Sequence, residues 1–181
     1  MEVKEIAMET LHRVEEALEQ VDGQQIKKVI MAITVSDRLF VVGSGRSGLI
    51  VRSFAHRFAA VGREVYVVGE TITPAARTTD TIVVVSGSGE TTYTVSAAET
   101  GKRMGAKIIA ITSHPDSSLG QMADITVTLP GRIETPKDKD YLARQIIGTH
   151  EPLVLGGATF ELTCMVFLES LIIKLQRRWN P

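Results

Sequence analysis

Two short stretches hold the residue types and spacing that bind an anion. Val41-Val42-Gly43-Ser44-Gly45-Arg46-Ser47-Gly48 and Val84-Val85-Ser86-Gly87-Ser88-Gly89-Glu90-Thr91 each pass from an apolar run through a Gly/Ser cluster into helical periodicity. Glycine lets the backbone come close to a ligand and adopt φ angles that other residues avoid. A helix that starts at such a loop points free N–H groups and a partial positive charge at whatever sits there. Ser44, Ser47, Ser86, Ser88 and Thr91 add hydroxyl donors. One such loop is a weak signal; the pair points to a phosphate site.

Two other readings fit the same residues. Gly43, Gly45 and Gly48 satisfy G-x-G-x-x-G, and Glu70 stands at the end of the next apolar run, which is the dinucleotide fingerprint in spacing and context. Arg46-Ser47 and the second hydroxyl-rich loop suit a compact phosphate monoester better than a pyrophosphate. Alternatively, the glycines only make tight strand-to-helix turns, with Ser44 and Ser88 as N-caps. No G-x-x-x-x-G-K-[ST] sequence occurs, which excludes a Walker-type nucleotide site.

The loops need strands and helices to hold them. Leu39–Val42, Val65–Val68, Thr81–Val85, Lys107–Ile111 and Ile125–Leu129 read as five strands. They are β-branched without polar alternation, the pattern of strands buried on both faces, hence a parallel sheet flanked by helices. Right-handed crossovers make this an α/β, doubly wound, flavodoxin-like fold in the order 2-1-3-4-5. In that order the first and third strands are neighbours, and both Gly/Ser loops face one crevice. Helices are expected from about 47 to 61, from the second loop to about Met104, and from about 159 to 178.

The chain divides into N-terminal helices (1–35), the parallel core (36–130), a variable loop (131–156) and a C-terminal helix (157–178), all within one domain spanning 1–181. Ala7, Leu11, Val14, Leu18 and Val21 form an apolar stripe on the first helix, suited to core or to a second copy. The last helix is apolar nearly all round, through Leu162, Met165, Val166, Leu168, Leu171 and Ile172, and is expected to be buried on several sides, including a subunit interface. The polar stretch 131–140 is long enough to be functional or mobile.

Composition narrows the function classes. Of 181 residues, 20 are Lys or Arg and 21 are Asp or Glu, for a net charge of −1. There is no basic surplus to drive binding to nucleic acid or to an anionic membrane. No apolar run approaches the ~18 residues of a membrane span. The charged start, MEVKEIAMETLHRVEE, is not a secretory leader, so a cytoplasmic protein is expected. The single cysteine, Cys164, excludes an intrachain disulfide and a multi-cysteine metal site.

At the two loops the sequence resembles the sugar isomerase (SIS) domain family, most closely its 6-phospho-3-hexuloisomerase branch. Val68-Gly69-Glu70-Thr71, Thr73-Pro74, Ala123-Asp124 and Phe160-Glu161 extend the match to about residues 25–178. The resemblance implies interconversion of 3-hexulose 6-phosphate and fructose 6-phosphate through an enediol, as in the ribulose monophosphate route of formaldehyde fixation, without metal or organic cofactor. It also implies a homotetramer whose active sites are shared between subunits. Ser47, Ser86, Ser88 and Thr91 would hold the phosphate with the N–H groups of Gly87 and Gly89, and Gly45 would line the substrate.

Glu161 falls on the family's proposed catalytic glutamate, and a carboxylate there suits proton abstraction. As a first-turn residue it also fits ordinary helix capping. Arg46 would stabilise phosphate or enediolate charge, and Glu70 would hold a sugar hydroxyl or pair with a nearby cation. The family usually reads His-Leu-Gly late in the first crossover helix, where this chain has Ala60-Val61-Gly62. His56, one turn earlier on the same face, is the candidate replacement. Before the last helix, Leu155-Gly156-Gly157-Ala158 stands where the family usually has Pro-hydrophobic-Gly-Thr. Three readings stay open: the isomerase, an SIS isomerase for another sugar phosphate, and a sugar-phosphate-binding module without catalysis. The dinucleotide enzyme is a more remote fourth.

Overall fold

The computed structural model describes residues 2–131, 138–149 and 153–179. Five parallel strands form one sheet: β1 (Leu39–Gly43), β2 (Val65–Val67), β3 (Thr81–Val85), β4 (Lys107–Thr112) and β5 (Ile125–Thr128). Their order is β2-β1-β3-β4-β5, as the strand rhythm predicts. Alternation within each strand supplies both faces of the sheet. Leu39, Val41, Val83, Val85, Ile109 and Ile111 face one core, and Phe40, Val42, Ile82, Val84, Ile108 and Ala110 face the other. That two-sided burial is why the strands read as unbroken apolar runs.

The first core is closed by α2 (Gly23–Val35), α3 (Gly45–Ala60) and α7 (Thr159–Trp179), with α1 (Val3–Glu19) packed against α7. The second is closed by α4 (Thr92–Arg103) and the short α5 (Ser118–Met122), which the periodicity did not predict because five residues carry too little pattern. At the edge of the second core the loop before β3 is held by a buried ion pair, Arg38 Nη2 to Asp80 Oδ2 at 2.6 Å.

Most expected boundaries lie within two residues of those observed. α3 begins at Gly45, inside the glycine cluster, and β2 stops at Val67. The expected variable loop contains a helix, α6 (Tyr141–Ile146), started by Asp140, whose carboxylate accepts from the N–H groups of Leu142 and Ala143. Residues 132–137 and 150–152 of that stretch lie outside the described residues. The α1 stripe covers core at Val14, Leu18 and Val21, while Leu11 is 60% exposed. Helix α7 buries Phe160, Cys164, Phe167, Leu168, Leu171, Ile172 and Leu175, but Leu162, Met165, Val166 and Ile173 remain on its outer side. Within one chain, then, it is amphipathic rather than enclosed. Among the described residues no helix is long and apolar enough to cross a membrane.

Candidate active site

Strand pairing sets the two Gly/Ser loops side by side. Gly43 at the end of β1 is in register with Val85 at the end of β3, so both loops leave the sheet at its carboxyl edge, where the strand order reverses. At Gly43 a Cβ would lie 2.8 Å from the backbone of Ser47, because α3 folds straight back over the strand end. Gly45 has φ +57°, and a Cβ there would lie 2.8 Å from the Tyr141 ring. These glycines therefore permit contacts that a side chain would block.

Among the described residues the loop hydroxyls are only partly engaged. Ser44 is the N-cap of α3 and Thr91 that of α4, yet neither side chain caps its own helix. Ser88 precedes the α4 cap, and its Oγ accepts from Glu90 N–H at 3.3 Å. The capping expectation is thus met in position by Ser44, without a side-chain bond, and not by Ser88, since Thr91 takes the α4 cap. Gly89 N–H donates to the Ser86 carbonyl at 3.0 Å and lies 3.2 Å from Ser86 Oγ, closing the loop's own turn.

Between the loops is a cavity of about 510 Å³. Ser44, Gly45, Arg46 and Ser47 line it from the first loop, Ser86, Gly87, Ser88 and Thr91 from the second, and Glu161 from the first turn of α7. Glu161 is 7% exposed, and its Oε2 lies 3.8 Å from Nη1 of Arg46. One turn along α7, burial and then the nearby Glu161 charge push the Cys164 thiol's pKa up, so it stays protonated and is no nucleophile.

The far wall comes from α6 and the residues after it: Tyr141, Arg144, Gln145, Thr149, Leu153 and Val154. Lys139 Nζ bonds Glu90 Oε2 at 2.5 Å, and the Lys139 carbonyl accepts from Thr92 N–H at 3.0 Å, fastening this segment to the second loop. The Lys139 hydrogen bond holds the Glu90 carboxyl below its ordinary range; partial burial opposes this, and bonds from the Ser118 N–H and hydroxyl reinforce it. Sequence reasoning missed the α6 residues and Thr94. The available signal was Asp140 as an N-cap, followed by Leu142 and Ile146 one turn apart.

Three expected site residues are not brought to this cavity within the chain. Gly89 shapes the loop without lining the space. Glu70 is exposed and paired with Arg52 at 3.0 Å, the second of the two roles expected for it. His56 is exposed on α3 and does not line the cavity.

The pattern of the SIS domain matches residues 32–161. A 3-hexulose-6-phosphate isomerase of Bacillus subtilis is 31% identical over 178 residues, 98% of this chain and 91% of that one. An uncharacterized Aeropyrum pernix protein is 50% identical over 141 residues, 78% of this chain, and the chain spans 66% of that relative's length. Among solved structures, a Methanococcus jannaschii protein inferred to be a 3-hexulose-6-phosphate isomerase superposes with a TM-score of 0.72 at 30% identity, covering 97% of this chain and 89% of that one. A strand order that reverses between two Gly/Ser loops and the domain match over most of the chain agree, and the chain belongs to the SIS domain family.

Proposed function

We propose that this protein is a sugar-phosphate isomerase that interconverts 3-hexulose 6-phosphate and fructose 6-phosphate. The observation that carries the reading is a buried carboxylate, Glu161, sharing one cavity with two hydroxyl-rich loops at helix N-termini. The relatives that bear the hexulose-phosphate isomerase name support the choice of sugar.

In this reading Ser47, Ser86, Ser88 and Thr91, with the Gly87 N–H, bind the phosphate, and Gly89 keeps that loop's shape. Glu161 removes the proton from C2 of the 3-ketose, the C3 carbonyl becomes the second hydroxyl of an enediol, and a proton returned to C3 leaves the ketone at C2. Arg46 balances the charge that develops on the oxygens. His56 acts only if a neighbouring subunit presents it, which fits a homotetramer with shared sites. One SIS domain over 1–181, working in the cytoplasm, is the simplest organisation.

The test is coupled turnover of 3-hexulose 6-phosphate together with solvent deuterium exchange into fructose 6-phosphate. Turnover, with label at C3 or with direct internal transfer, is expected. Tight binding of fructose 6-phosphate without turnover or exchange would identify a non-catalytic sugar-phosphate-binding module instead.

A further inference from the structure

The cavity's far wall contains a cation with no anionic partner among the described residues. Arg144 lines the space, and its Nε is buried without a hydrogen-bond partner among those residues. A buried unpaired donor on a charged group is costly and calls for an acceptor that is present in the working state. The other arginine in the cavity, Arg46, is already within 3.8 Å of Glu161. Among the described residues that line the cavity, two are cationic, Arg46 and Arg144, and one anionic, Glu161, an excess of one positive charge.

The helix sets where this cation points. Side chains in an α-helix lean toward its N-terminus, and the Arg144 guanidinium carbon lies 5.8 Å from the Tyr141 ring centroid, one turn back. Tyr141 in turn lies against Gly45 of the first loop. The N-terminal end of α6 is fastened to the second loop through Lys139. The guanidinium thus lies beside Tyr141 on the α6 wall of the cavity.

We propose that Arg144 is a phosphate-binding residue: its guanidinium closes over the phosphate dianion opposite the serine loops, supplying the full charge that hydroxyls and amides lack. This rests on the reading of the cavity as a sugar-phosphate site and assigns the ligand's charged end to α6. It also gives the segment after β5 a purpose, since residue 144 lies outside both Gly/Ser loops.

The experiment compares binding of inorganic phosphate and of fructose 6-phosphate to the wild type, Arg144→Gln and Arg144→Lys by titration calorimetry, with circular dichroism and thermal unfolding as a check on folding. Arg144→Gln is expected to weaken both ligands by the same factor, about tenfold to a hundredfold, and Arg144→Lys by less. Wild-type phosphate affinity in a folded Arg144→Gln overturns the assignment, whether or not the sugar phosphate weakens. Should Arg144→Gln not fold, the wild-type Nε–H resonance of Arg144, identified by its absence in Arg144→Lys, decides. A shift on adding inorganic phosphate supports the proposal, and an unmoved resonance at saturation overturns it. None of these measurements needs turnover. A wild type that binds phosphate through Arg144 but leaves 3-hexulose 6-phosphate unchanged removes the isomerase reading alone. Turnover with Arg144-independent phosphate binding removes this proposal alone.

Discussion

Arg46 and Glu161 meet 3.8 Å apart in the lining of the cavity, one from the first Gly/Ser loop and the other from the first turn of the last helix. The carboxylate is buried, while the arginine is about half exposed. Glu161 is thus held inside the cavity with its counter-charge on the solvent side. An arginine so placed can follow negative charge as it passes from carboxylate to enediolate. This pair joins the loop proposed to bind the anion to the helix turn proposed to carry the base.

Replacing Glu161 with Gln keeps the side chain's shape and removes its basicity. Turnover and deuterium exchange should fall by about 10² to 10⁴. Fructose 6-phosphate affinity, read by calorimetry, should stay within a few-fold of wild type. Residual activity near wild type would exclude Glu161 as the base.

Arg46→Ala should lower kcat by about tenfold or more, since one electrostatic contact to developing charge is lost. The two residues act on one charge, so Arg46→Ala should cost little more in a Glu161→Gln background. A steady-state double-mutant cycle checks this, and additive losses would mean that Arg46 acts independently of Glu161.

Gly45→Ala should separate α6 from the first loop. Its φ of +57° is strained for any side chain, and the added Cβ meets the Tyr141 ring at 2.8 Å. The strain costs about 1–3 kcal/mol, and displacement of α6 should weaken phosphate binding. Unfolding curves and phosphate titrations measure the two effects separately, and unchanged phosphate affinity would show that α6 is not part of the site.

The Arg38–Asp80 pair should govern acid stability near the sheet's β1 end. Burial pushes the Asp80 pKa up, but the hydrogen bonds from Arg38 and from Arg77 N–H outweigh it, and the net direction is down. A carboxyl depressed in the folded state stabilises above its unfolded pKa, about 3.9, and that contribution is lost as pH falls through the lower folded value. Asp80→Asn, which leaves Arg38 buried without its counter-charge, should cost about 3–5 kcal/mol at neutral pH. The gap between wild type and variant in denaturant unfolding should close below about pH 4. A gap independent of pH would mean that the loss comes from packing alone.

Much of the fold and of the candidate anion site is legible in the amino-acid order. Five unbroken β-branched runs state a sheet covered on both faces, and the repeat of Gly/Ser loops after β1 and β3 states a shared crevice once the order 2-1-3-4-5 is assumed. The α6 wall is not legible there. Six residues with one apolar pair carry little periodicity, and their position over the cavity depends on Lys139 reaching Glu90 and on Tyr141 meeting Gly45. Glu70 is open between two roles in the sequence for a related reason. The end of a strand beside a ligand crevice is a plausible site position, but only the fold brings Arg52 alongside to take up its charge.

By itself the sequence determined the fold class and the two Gly/Ser loops, because hydrophobic periodicity and glycine spacing are local properties written along the chain. Its near-cancelling 20 and 21 charges also required that any bound anion be held by local groups rather than by a general field. Which charges meet was decided only by tertiary structure. Arg46 faces Glu161, Glu70 faces Arg52, and Arg144 faces the open cavity, since pairing depends on distances between segments far apart in the chain.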